Sequence, residues 1–346
     1  MRQPCLQKQF VINFKEITMN IQRKIAMALS AVLLLIAGTA QAALIPFQTF
    51  VGNYGVSTDG WGSTSQSGTI RALVPEGATV VAAYLYSSTF TNPTLAGVGG
   101  TLAGSTVDYN TNLGTIPAPA CCDLTAVRAD VTSIIKPIVD GGIGGVYSFD
   151  ITETSTSQDG SALVVVYSHP DLGISTVGIL DGYARVDGDT TSLNFADPLD
   201  PSAPGFFAHM MLGIGFSCCN QASTVEVNGT LITNAAGNND DSADGGASNG
   251  NLITVGSFDD PFSPFMPSYN EDTERYNLVD YLSNGDTSIN IRTTNASRDD
   301  NIFLAVFHVS GEAGVNAPPP GISIPEPGTL ALFALALFGL RRRLQS

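Results

Sequence analysis

The feature that most constrains this chain is a rhythm. Short runs of β-branched and aromatic residues recur, and each is broken within a few positions by Gly, Asn, Asp, Ser or Pro. Residues 79–86, 146–151, 162–167, 224–227, 288–291 and 302–307 are the clearest runs. They are too short for stable helices, and their apolar positions lack helical spacing. The rhythm predicts many short strands joined by tight turns, and so an all-β body of sandwich or jelly-roll type. Residues 225–232 hold Asn228-Gly229 at their centre, the pair that favours a two-residue hairpin turn.

The rhythm also repeats on a larger scale. Segment 128–135 can be laid on 275–282, and each is followed by a glycine turn, at 140–142 and at 284–286. An alternating strand comes next, 147–151 against 288–291. A polar loop follows, around Asp159 and around Asp299-Asp300. A wholly apolar strand closes each unit, 162–167 against 302–307. A strand apolar on both faces belongs inside a sandwich. Two related β-sandwich domains are therefore expected, over 43–175 and 176–312. Residues 313–324 carry Pro318-Pro319-Pro320 and are expected to be a spacer without a core of its own.

The ends speak of location. Arg23 and Lys24 precede an apolar stretch over 25–39, and Ala40-Gln41-Ala42 follows. A charged segment, an apolar segment and a small-x-small site together form a secretory signal peptide, here 19–42 and cut after Ala42. Residues 1–18 fit no part of such a signal and are expected to be an over-called start before Met19. Export agrees with composition. The chain holds 31 acidic residues against 15 basic ones. Between Ala43 and Ile324 the basic residues are Lys136, Arg71, Arg128, Arg185, Arg275, Arg292 and Arg298. No nucleic-acid partner is expected, because phosphate binding needs clustered Lys and Arg. Docking on anionic lipid is disfavoured for the same reason.

The C-terminus poses a puzzle. The apolar run 330–340 precedes Arg341, Arg342 and Arg343. As a short hydrophobic helix it would cover only about half of a hydrocarbon core roughly 30 Å thick. That suits transient inner-membrane association better than permanent anchoring. Just before it stand Pro325, Glu326 and Pro327, which hold the chain extended where a protease can read it.

Residues 325–346 resemble the PEP-CTERM sorting signal of Gram-negative bacteria. The resemblance rests on Pro325-Glu326-Pro327, Thr329-Leu330, the short apolar run, Gly339 and the arginine cluster. Ile324 departs from the valine commoner at that position. The resemblance implies recognition by exosortase, a membrane-embedded cysteine transpeptidase. It further implies removal of the tail and release or transfer of the body to the outside, often into exopolysaccharide or biofilm matrix. The body is similar to uncharacterised secreted bacterial β-domains through Tyr84-Leu85-Tyr86, Asp130-Val131-Thr132 and the strand at 162–167.

Signs of chemistry are sparse. Cys121, Cys122, Cys218 and Cys219 form an even set that an oxidising compartment would bridge. Links between the two pairs are favoured over two strained vicinal bridges. Adjacent cysteines match no zinc spacing. His169, His209 and His308 sit at a strand end or in apolar runs and are expected to be packed residues. No serine elbow and no H-E-x-x-H motif is present. Asp240, Ser242 and Asp244 occupy the first, third and fifth places of a calcium-type loop, but Asn251 stands where a bidentate glutamate belongs. The stretch is read either as an irregular Ca²⁺ loop or as a solvated acidic loop; no other cofactor is expected. Trp61 is read as a core anchor, with a sugar-stacking platform as the alternative.

The sequence thus predicts an exported, non-enzymatic surface or matrix protein that binds or builds exopolysaccharide. The alternative is a secreted polysaccharide hydrolase using paired carboxylates.

Overall fold

A computed structural model describes residues 44–320, apart from 63–64, 91–94, 96, 118–122, 186, 216–222, 238–252, 261, 263–273 and 296–300. The described strands form four antiparallel sheets. The first outer sheet runs β3 (Ser67–Val74), β9 (Gly145–Glu153), β5 (Gly99–Leu102), β6 (Ser105–Asp108). The first inner sheet runs β2 (Tyr54–Trp61), β10 (Gln158–Ser168), β4 (Thr79–Phe90), β8 (Asp123–Asp130), β7 (Thr111–Pro117). The second inner sheet runs β1 (Ile45–Gly52), β11 (Ser175–Asp181), β19 (Asn301–Ser310), β13 (Ala208–Gly215), β16 (Ile253–Val255), with β17 (Arg275–Asn277) also on β13. The second outer sheet runs β15 (Thr230–Ala236), β14 (Ser223–Val227), β18 (Ser288–Asn295), β12 (Asp189–Phe195), β20 (Ala313–Val315). A single α-helix among the described residues, α1 (Thr132–Asp140), packs on β4, and a 3-10 turn covers Val279–Tyr281.

The sheets stack as four layers with three cores between them. Ile70, Phe149 and Ile151 of the first outer sheet meet Leu85, Leu163 and Val165 of the first inner sheet. Tyr86, Val164 and Val166 of that inner sheet meet Val177, Ile179, Phe303 and Val306 of the second inner sheet. Met210, Leu212 and Phe307 in turn meet Leu193, Val225, Ile289 and Ile291 of the second outer sheet. This explains why residues 162–167 of β10 and 302–307 of β19 are apolar on both faces. Each is a central strand of an inner sheet, so successive side chains enter different cores. Truncating one of the large buried rings, such as Phe303, would cost about 3–5 kcal/mol.

The expected boundary at 175/176 falls within β11, after its first residue. The described residues of both halves nonetheless fall in one compact unit, because the middle core joins them. The pairing order repeats between them. β2, β3, β4, β5, β6, β8, β9 and β10 pair among themselves as β11, β12, β13, β14, β15, β17, β18 and β19 do, each nine strands later. Even the hairpin turns correspond. Ala103-Gly104 joins β5 to β6, and Asn228-Gly229 joins β14 to β15. All four residues take positive φ, as a twist-matched two-residue turn demands. β1 breaks the symmetry. It lies in the first half of the chain but extends the second inner sheet through β11.

Polar contacts fix how the inner sheets meet. Arg128 of β8 pairs with Asp181 of β11, which also accepts from the Tyr86 hydroxyl at 3.2 Å. The guanidinium lies 3.3 Å from the ring centre of Phe47. Ser88 and Tyr183 share a hydrogen bond of 2.8 Å. Such buried groups tolerate one register, since a slip would leave them unpaired.

No helix among the described residues is long and apolar enough to cross a membrane. The expected signal helix and the short C-terminal helix lie outside the described residues.

Candidate functional site

A cleft of about 560 Å³ opens where β6, the end of β8 and α1 converge. Asp108 and Asp130 stand on its walls, with Ser105, Thr106 and Ser133 beside them and Ile134 at its base. Local rules place these groups. The Ala103-Gly104 turn presents β6 at the sheet edge, and Asp130 ends β8 by accepting the Thr132 amide at 2.9 Å, which helps start α1. Carboxylates accept hydrogen bonds, and hydroxyls accept or donate. The lining therefore suits a neutral, hydroxyl-rich ligand. It is poorly suited to glycoside hydrolysis, which needs one carboxyl withdrawn from water to serve as acid. Asp108 and Asp130 are both exposed.

The acids that are withdrawn from water stand elsewhere. Glu153, at the end of β9, is buried, and neither carboxylate oxygen has a hydrogen-bond partner. Burial pushes its carboxyl up to about 8; the Gly160 amide opposes this only weakly, from outside hydrogen-bond geometry. Asp59 of β2 is buried between sheets and accepts the Arg71 amide at 2.5 Å. Burial raises it to about 7, although the Arg71 amide and charge and the Ser257 hydroxyl pull the other way. Neither lines the cleft.

The remaining candidates fall into two groups. Trp61 is buried, and its indole nitrogen would touch any side chain added at Gly68. It is thus a core anchor, and the sugar-platform alternative is set aside. His169 bonds the Glu76 carbonyl at 3.0 Å. His209 and His308 face each other across β13 and β19 and pack on Phe207 at 5.4 and 4.5 Å. Ala40, Ala42, Cys121, Cys122, Cys218, Cys219, Asp240, Ser242, Asp244, Pro325, Glu326, Pro327, Arg341, Arg342 and Arg343 lie outside the described residues. Among the described residues no group of three or more His, Cys, Asp or Glu is placed to hold a metal ion. Nothing in the sequence signalled the cleft, because β6 and the end of β8 belong to different sheets and meet only in the fold.

No curated protein matches the chain. Among solved structures, BpGH86A, a β-porphyranase of glycoside hydrolase family 86 from the human gut bacterium Bacteroides plebeius, aligns at 10% identity with a TM-score of 0.14. The alignment covers 71% of this chain and 35% of that one. The chain thus spans about a third of that enzyme, and a likeness this slight carries no argument. The C-terminus is different. Residues 323–343 match the PEP-CTERM protein-sorting motif, the signal that marks a secreted chain for exosortase processing and export to the envelope or surface of a Gram-negative bacterium.

Proposed function

We propose that this protein acts without catalysis, as a binding or structural component of an exopolysaccharide or biofilm matrix. The sorting motif at 323–343 carries the reading. The body supports it: a stack of sheets with three continuous cores is rigid, and the cleft beside α1 offers hydroxyl-matched groups at its surface. The chain passes through transient inner-membrane association before exosortase cuts near Pro325-Glu326-Pro327. The finished body then meets a neutral polysaccharide through Asp108, Asp130 and their neighbours.

Mass spectrometry of the extracellular fraction tests the processing. The expected product begins near Ala43 and lacks Arg341, Arg342 and Arg343. An intact arginine terminus on most of the exported protein would overturn the reading. Incubation of the purified body with the host's own exopolysaccharide tests the rest. Retention on the polymer, weakened by Asp130→Asn, is expected. Release of oligosaccharides would establish the hydrolase alternative in its place.

A further inference from the structure

We propose that a second, smaller cavity, between Arg275, His209 and His308, is a binding site for a single carboxylate group. The cavity measures about 70 Å³ and lies between the two inner sheets, with Val56 and Met211 among its walls. It is far too small for a sugar ring or a peptide, but one acid group fits. The inference does not depend on the matrix reading.

Charge points to an anion. Arginine stays protonated at any physiological pH. Among the described residues no carboxylate forms an ion pair with Arg275. The two acids that act on it at longer range are engaged elsewhere. Asp259 pairs with Arg71 at 2.9 Å, and Asp260 accepts the Ser257 amide at 2.8 Å. A half-buried guanidinium with no carboxylate among the described residues in direct contact leaves a favourable position for one.

Geometry narrows the class. Nη1 of Arg275 spends its two hydrogens on the carbonyls of Phe258 and Asp260, at 3.0 and 2.8 Å. Those bonds fix the guanidinium plane and leave the Nε and Nη2 edge. That edge carries the parallel pair of N–H groups that takes a carboxylate in two bonds. His209 and His308 stand opposite each other in register. Burial lowers both to about 4, so each is a neutral imidazole with one N–H; His308 gives its own to the Tyr54 carbonyl at 3.2 Å, and His209 keeps one to donate. Thr58 is not available, since its hydroxyl is given to the Gly256 carbonyl at 2.6 Å. One fixed positive charge and one neutral donor, His209, match a monoanion, with His308 as a wall of the cavity. A divalent metal would have to sit beside the arginine.

A neighbouring ring suggests what the acid is attached to. The Phe262 ring lies 4.8 Å from His209 and 4.4 Å from the guanidinium, and is 37% exposed. It offers an apolar face to the part of the ligand outside the cavity. The body's strong negative charge repels a polyanion. The ligand class is therefore a small molecule or chain end with one carboxylate.

The chain has three histidines, so the ring proton signals of the purified exported protein can be assigned by single substitution. Acetate, glucuronate and glucose would be added separately, up to tens of millimolar. Acetate and glucuronate are expected to shift the His209 and His308 signals and leave His169 unmoved, with no response to glucose. Glucuronate binding tenfold tighter than acetate would identify a sugar acid; equal binding would identify any small carboxylate. Arg275→Met should weaken binding at least tenfold. Arg275→Lys keeps the charge without the fork and should fall between. If Arg275→Met fails to fold, His209→Gln serves, with a smaller loss. Silence of both signals with both acids, or a response to zinc alone, would overturn the proposal.

Discussion

Glu153 and Glu274 are both buried, one in each half of the molecule, and the two halves treat them in opposite ways. Glu274 accepts the Gly237 amide and the Tyr276 hydroxyl, each at 2.6 Å. Glu153 has no partner for either oxygen, and the Gln158 amide nitrogen is likewise unpartnered. The strand order of the halves is the same, so the sheet architecture does not dictate how an acid is housed. One acid ties β17 to the segment after β15. The other stays in the core mainly by keeping its proton. A shared fold thus tolerates an acid held by two hydrogen bonds beside one that stabilises it only when neutral.

Three substitutions would break or sharpen this contrast. Glu274→Ala should have the largest effect, since it strands two buried donors; a loss of about 3–5 kcal/mol in urea unfolding is expected. A loss below about 1 kcal/mol would mean that water replaces the carboxylate, and the contrast would fail.

Glu153→Gln comes next, and its sign depends on pH. The folded carboxyl holds its proton up to about 8, whereas the unfolded chain releases it near its ordinary value of 4.5. The stability it contributes is therefore whole below about pH 4.5 and is lost as pH rises towards 8. The amide cannot ionise and escapes that loss. Paired urea titrations should find the variant close to the parent at about pH 4 and more stable by several kcal/mol at about pH 9. Asp59 acts in the same direction over the narrower window up to about 7, so the parent's stability should fall from mild acid upward. A flat parent profile would refute both assignments. Tyr276→Phe should have the smallest effect, about 1–2 kcal/mol, because it removes one of the two bonds to Glu274 and leaves the other. A tyrosine loss equal to the full Glu274→Ala loss would show that the Gly237 amide contributes nothing.

The strand pattern was legible from the start. Turn residues bracketed the runs at 79–86 and 162–167, and Asn228-Gly229 marked its hairpin. The correspondence of 128–135 with 275–282 pointed to the repeat of strand order. The middle core was not legible. An apolar strand such as β10 looks the same whether its second face meets a neighbour within its own half or the other half. The cleft and the arginine cavity were hidden for a related reason. Asp108 and Asp130 come from different sheets, and Arg275 reaches His209 and His308 through three different strands. Burial of Glu153 was hidden too, because it stands in the polar run Thr152-Glu153-Thr154-Ser155, which reads as loop.

The placement of the first and last strands has a consequence for assembly. Leu44 donates its amide to Asp189 at the start of β12, and Val315 sits in register with Leu193 further along the same strand. The beginning and the end of the body are thus stitched to one seam. A chain emerging N-terminus first has its opening segment outside long before the closing strand arrives, and β12 keeps an open flank until then. The fold closes only when residues 313–315 have cleared the membrane. The sorting motif begins at residue 323, so the proposed cut comes after the last stitch and leaves the seam whole.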